Sequence, residues 1–180
     1  MFNSEKKYLF LLLFLVCFSR ALNAQGNVVL TGSWDLTLSQ SDLQDGAGSD
    51  LNHTYESAVD QVLVEIYRFY FIWGSGTRTW NWAIDINKSD TDWDSSLQVW
   101  ARRTGDGNCS YTYTITGGQT YQRVTDVATE FFSGSITGSG RWFLLLLANN
   151  IPIQYQIRGV SAVLTAKTYT TSIVYTVRDN

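Results

Sequence analysis

The chain has 180 residues, with 16 acidic and 13 basic side chains, one histidine and a formal net charge of −3. A mildly acidic surface repels phosphate backbones, so the composition disfavours nucleic acid as a partner. A single histidine excludes a metal site built from several imidazoles.

The first predicted element is a secretory signal peptide over residues 1–24. Lys6 and Lys7 precede an apolar run over 8–18, and Ala24 precedes a polar segment. This is the charged, apolar and small-residue order of a signal, and its run is well short of the ~20 residues that span a membrane. Cleavage after Ala24, or alternatively after Ala21, leaves one domain over 25–180. We therefore predict a secreted, extracellular or cell-surface protein, with the periplasm as the alternative and no membrane span after cleavage.

Alternation of apolar and polar residues dominates the rest of the chain and predicts half-buried strands. In chain order we predict strands over 34–38, 59–73 (bulged or broken), 80–87, 97–103, 109–116, 141–148, 153–159 and 169–177. Glycine-rich turns are predicted at 74–76, 105–108 and 117–118, because glycine tolerates the positive φ of short hairpin connections. Residues 39–54 and 133–140 are predicted loops, and 126–132 at most one helical turn.

About eight strands at regular spacing favour an all-β fold, an antiparallel β-sandwich of immunoglobulin-like or jelly-roll-like type. The alternative is a β-barrel. The single proline, Pro152, is expected to begin the strand that follows it, since proline cannot donate to a central strand.

Catalytic signatures are absent: there is no G-x-S-x-G, no H-E-x-x-H, no phosphate-binding loop and no dinucleotide-binding glycine pattern. His53 lies in the long predicted loop, where an exposed and inert imidazole is expected. Cys109 is the one cysteine after the signal, so the predicted domain has no internal disulfide. We predict a protein that is not an enzyme and needs no cofactor.

Carboxylates are the remaining candidates for ion binding. Asp90, Asp92 and Asp94 alternate, so an extended chain places them on one face, and oxygen ligands of this kind bind Ca²⁺. The glycine and distal glutamate of an EF-hand are missing, and a solvated loop is the competing interpretation.

Tryptophan is abundant, with seven in the chain. Large aromatic side chains fill the core of a sandwich that has no disulfide, and alternation assigns four of them there. These four are Trp34, Trp80, Trp82 and Trp100. Trp73 and Trp93, beside turn-like residues, are the candidates for exposed ligand-binding aromatics. A carbohydrate-binding module that stacks sugar rings on them is therefore the alternative function.

The last third of the chain, over 153–161 and 169–177, resembles the closing strands of secreted bacterial surface β-sandwich domains of the spore-coat and fimbrial-subunit type. The resemblance covers about 30 residues and implies a structural or adhesive role at the cell surface. It carries over no site residues, and the paired cysteines of many fimbrial subunits are missing. The expected partners are other surface proteins, further copies of this chain, or glycans.

Overall fold

The computed structural model describes residues 26–45 and 49–180, except the side chains of Gln40 and Trp73. The predicted signal peptide lies outside the described residues. Within them the chain is all-β, with nine strands and one short 3₁₀ turn, Gln40–Asp42. The strands are β1 (Asn27–Thr31), β2 (Thr54–Glu56), β3 (Val62–Asp92), β4 (Gln98–Arg103), β5 (Asn108–Cys109), β6 (Thr112–Gly117), β7 (Gln122–Val124), β8 (Thr129–Arg158) and β9 (Thr170–Asp179).

All nine strands belong to one antiparallel sheet, organised around the two long strands β3 and β8. These two pair from Val62 opposite Ile153 to Ile86 opposite Thr129. The other edge of β3 pairs with β1 near its start and with β9 near its end. The other edge of β8 pairs with β6, β5 and β4 in turn, and β7 adds to β4.

The sheet curls because both long strands bend at one place, which we call the corner. There Ile72 lies opposite Trp142 and Ser75 lies opposite Arg141, so two extra residues bulge from β3. Gly138 and Leu146 are eight residues apart in β8, and in a straight strand they would lie about 26 Å from each other. In the structure they are close neighbours, because a Cβ added to Gly138 would lie 2.7 Å from the Leu146 side chain. The two halves of β8 therefore fold towards each other across the inner face.

The inner face of the curled sheet carries the core. Its fully buried members come from both sides of the corner and alternate along each strand, as expected for a sheet with one packed face. They include Ile66, Trp80, Trp82, Ile84, Phe132, Ile136, Leu146 and Ile151.

Polar contacts also join the two halves across the curl. The Trp80 indole N–H donates to Asp179 at 2.8 Å, and Arg68 from the other half of β3 pairs with the same carboxylate at 2.6 Å. The hydroxyls of Tyr155 and Tyr175 lie 2.7 Å apart and are buried. The inner surfaces are therefore held together by specific hydrogen bonds as well as by apolar packing.

Several predicted elements are confirmed. Strands 97–103, 109–116 and 169–177 correspond to β4, to β5 with β6, and to β9, and strand 80–87 is the middle of β3. The bulge predicted within 59–73 is present as a register shift between Val64 and Ile66.

Other predictions are wrong in an instructive way. Residues 34–38 form no ladder, although Trp34, Leu36 and Leu38 are half-buried as their alternation suggests. The glycine-rich segments 74–76 and 133–140 continue β3 and β8 instead of ending them, because each has a paired strand beside it. Pro152 lies inside β8, opposite Leu63, and does not begin a strand.

Candidate functional site

The three alternating aspartates lie at and just beyond the end of β3, and each has its own partner. Asp90 pairs with Lys88 and accepts a hydrogen bond from the Thr171 hydroxyl at 2.8 Å. Asp92 pairs with Lys167, and Asp94 accepts from the backbone N–H and hydroxyl of Ser96. A register shift between Asp90 and Asp92 breaks the alternation that would place them on one face.

The pKa values of Asp90 and Asp94 agree with carboxylates that each have their own hydrogen-bond partners. Burial raises the pKa of Asp90, but its hydrogen bonds from Lys88 and Thr171 outweigh this and leave that pKa lowered. The backbone and side-chain hydrogen bonds from Ser96 lower the pKa of Asp94. Among residues 26–45 and 49–180, no three acidic, histidine or cysteine side chains converge as a metal-binding group.

Trp93 lines an open groove of about 350 Å³ beside this acidic end of β3. Lys88, Asp90, Gln98 and Arg123 also line it. Trp93 is half-buried against the core, and its indole N–H donates to the Leu97 carbonyl at 2.9 Å. The indole N–H is therefore already engaged within the protein. The side chain of Trp73 lies outside the described residues.

His53 and Cys109 occupy separate places. The His53 imidazole is mostly exposed and lies 3.7 Å from the Asp50 carboxylate, which also accepts from the Ser161 hydroxyl at 3.2 Å. The Asp50 carboxylate therefore lies between the His53 imidazole and the Ser161 hydroxyl. Activation of a serine nucleophile requires a direct hydrogen bond between the imidazole and the hydroxyl, so this arrangement is not that of a catalytic triad. Cys109 is half-buried in β5.

The most prominent surface feature is a patch of large apolar side chains on the outer face of β3 and β8. Three directly opposed pairs stand in consecutive rows before the corner, and we call the set the apolar ladder. Its pairs are Tyr67 with Leu147, Phe69 with Leu145, and Phe71 with Phe143. Phe69 is 47% exposed and Phe143 is 66% exposed, values unusual for phenylalanine.

The rings of the ladder meet at steep angles. Tyr67 and Phe69 lie 6.5 Å apart at 84°, and Phe71 and Phe143 lie 5.4 Å apart at 69°. Edge-to-face contact of this kind stabilises aromatic pairs and presents ring edges, not a flat platform, to a ligand.

Beyond the corner, the outer face of the same two strands and of the neighbouring β6 changes to hydroxyl and amide groups. We call this set of eight residues the hydroxyl face: Thr79, Asn81, Ser133, Ser135, Thr137, Thr112, Thr114 and Thr116. Hydroxyl pairs Thr79–Thr137 and Thr114–Ser135 each lie 2.8 Å apart. The face is polar but uncharged, and its side chains partly satisfy one another.

Sequence reasoning missed the apolar ladder as a candidate site, although a signal for it was present. Residues 66–73 and 142–148 are apolar at nearly every position. An antiparallel strand with one solvent-exposed face should instead alternate apolar and polar residues. An unbroken apolar run in an antiparallel strand indicates apolar side chains on both faces. The structure shows that the second face is exposed.

Among the described residues there is no helix with the length and apolar character needed to cross a membrane. The chain matches no protein-family model, no curated protein and no solved structure.

Proposed function

We propose that this chain is a non-catalytic structural or adhesive module, secreted or displayed at the cell surface, with the sandwich-like architecture suited to such a role. The carrying observation is the extended outer face of β3 and β8, which presents the apolar ladder and the hydroxyl face along one pair of strands. Adhesion uses broad surfaces of this kind, whereas small-molecule chemistry typically uses concave pockets. The predicted signal peptide and the resemblance of the last third to bacterial surface domains support the same proposal.

The test begins with where the protein is found. We expect the exported form to begin at Gln25 or Leu22 on N-terminal sequencing, and we expect protease added to intact producing cells, or their culture medium, to reach it. A full-length chain that begins at Met1 and stays in the cytosol would contradict the proposal.

The carbohydrate-binding alternative makes a different demand, because sugar stacking needs exposed aromatic faces in one plane. In the outer face beside β4, Arg158 lies 4.0 Å from the Trp100 ring centroid and Arg102 lies 4.7 Å from that of Tyr121. These guanidinium groups cover ring faces that a sugar would need. A glycan array separates the two functions: saturable binding that is lost in Trp73→Ala or Trp93→Ala favours the carbohydrate-binding module.

A further inference from the structure

We propose that the apolar ladder, together with Arg141 and Trp142 at the corner, is a docking surface for a lipid bilayer that carries anionic headgroups. The protein would lie on the bilayer as a peripheral module.

The exposed phenylalanine and tryptophan side chains among the described residues all lie at this end of the molecule. Phe143 and Phe69 protrude from the ladder, Leu145 between them is 36% exposed, and Trp142 next to them is 48% exposed. Contiguous apolar patches of this type on a folded protein mark surfaces that contact a partner or a membrane. Tryptophan and tyrosine favour the boundary between water and lipid, because each has an apolar body and a polar group.

Charge is distributed unevenly along the two long strands. Residues 66–84 of β3 and 131–158 of β8 contain no aspartate or glutamate, although the whole chain has 16 acidic residues. The same stretches carry Arg68, Arg78, Arg141 and Arg158. The two strands on either side of the corner therefore carry basic side chains and lack acidic ones.

One of these arginines, Arg141, is available at the corner. It is exposed and forms no ion pair with any residue that the structure describes. Arg141 directly precedes Trp142, whereas Arg78 lies opposite Gly138, on the same side of β3 as Ile72 and away from the ladder. Basic side chains beside apolar ones suit an anionic bilayer, whose headgroups attract the charge while the acyl region accepts the apolar groups.

A second copy of this chain fits the surface less well. A stable interface uses roughly 20–30 residues on each side, at least twice the number in the ladder and the corner. In a two-fold symmetric dimer the patch would face itself. The acidic side chain nearest the ladder along β3 is Glu65, at the end away from the corner and opposite Val29, so a copy would offer Arg141 little opposite charge.

The experiment measures co-sedimentation of the exported protein with phosphatidylcholine vesicles, with and without about one-third phosphatidylglycerol. We expect binding to the anionic vesicles and weak binding to the neutral ones. Arg141→Gln should weaken anionic binding by about fivefold, because one basic charge near an anionic surface contributes about this much. It should leave the weak neutral binding unchanged.

The ladder is tested by Phe69→Thr/Leu145→Thr, with Thr79→Ser/Thr137→Ser as the matched pair on the hydroxyl face of the same strands. We expect about tenfold weaker binding for the first variant, from lost apolar transfer, and no change for the second. Phe143→Ser, at the most exposed ladder residue, repeats the test with a single change, and thermal melts show that each variant is folded.

Three outcomes would overturn the proposal. The first is equal sedimentation with and without vesicles. The second is vesicle binding that the folded ladder variants retain in full. The third is a concentration-dependent dimer in light scattering that is abolished by Phe143→Ser while vesicles bind nothing, which would assign the ladder to self-association.

Discussion

On one side of the corner, the outer faces of β3 and β8 carry phenylalanine, tyrosine and leucine, and on the other side they carry threonine, serine and asparagine. The strands, the sheet and the pairing partner are the same in both regions. The inner faces are also alike, since Ile66 and Leu146 before the corner are as buried as Ile84 and Phe132 beyond it. Folding therefore specifies the inner face along the whole length, and leaves the outer face free to differ between the two ends.

The largest effect should come from the inner face, where we expect the two regions to behave alike. Ile66→Ala and Ile84→Ala each remove side-chain atoms from a site with no exposure. Each should lower the free energy of unfolding by about 2–5 kcal/mol, from lost transfer free energy and the cavity left behind. Urea denaturation followed by tryptophan fluorescence measures this.

Val163→Ala is the control for these core variants, since Val163 is 92% exposed. Its free energy of unfolding should stay within about 0.5 kcal/mol of the parent value. A loss confined to one of the two isoleucine variants would show that the two halves do not share one cooperative core.

The contact between the two halves predicts a loss of stability in alkali. Burial raises the pKa of Tyr155 to about 12, although its hydrogen bond with Tyr175 lowers that pKa, and burial also raises the pKa of Tyr175 well above 10. Both stay protonated when folded but ionise near pH 10 when unfolded. Their stabilisation is complete below pH 10 and should fall above it by about 1.4 kcal/mol per pH unit for each tyrosine.

Urea midpoints measured from pH 9 to pH 11.5 test this sign. Tyr155→Phe removes one of the two ionisations, so the decline should be shallower in this variant, even though it is less stable near neutral pH. A parallel decline in the variant and the parent would contradict the assignment to this pair.

How much of this fold is visible in the sequence depends on whether the deciding contact is local. Alternation over 80–87 and 169–177 identifies strands correctly, because one face of each packs on the core. The same alternation at Trp34 misleads, since extended chain becomes a strand only when a distant partner pairs with it. The positive φ of Gly74 is compatible with a hairpin turn and with a bulge. A bulge forms here because the distant strand β8 bends at Trp142 and remains paired with β3.

The candidate sites follow the same rule. The spacing of Asp90, Asp92 and Asp94 is visible locally, but their partners Lys167 and Thr171 come from a segment about 80 residues away along the chain. The apolar ladder was within reach of sequence reasoning, as an unbroken apolar run in two strands. What remained out of reach was the register that places Phe71 opposite Phe143 and Phe69 opposite Leu145.

Exchanging the chemistry of the two outer faces should have a small effect on stability. Phe69→Thr/Leu145→Thr gives the ladder one row of the hydroxyl face, at positions that are 47% and 36% exposed. We expect a loss of about 1 kcal/mol or less, because cross-strand pairs contribute modestly and threonine suits a strand. The reverse exchange, Thr79→Phe/Thr137→Leu, should change stability by a similarly small amount while lowering solubility. A loss near that of Ile66→Ala would show that the ladder packs as core and not as surface.

The smallest effect that we expect is that of calcium on thermal stability, at the acidic end of β3. This end differs most from the corner, which has no carboxylates. A ligand that binds only the folded state at 100 times its Kd stabilises by about 2.7 kcal/mol, which corresponds to a Tm shift of several degrees for a domain of this size. We expect no such shift between EDTA and millimolar calcium, because Lys88, Lys167 and Ser96 already engage the carboxylates of Asp90, Asp92 and Asp94. Calcium would have to displace two ammonium groups before it gained a ligand set. Thermal melts of the parent and of Asp92→Asn decide this: a calcium-dependent rise of several degrees in the parent, abolished in the variant, would establish a site that the observed pairing does not provide.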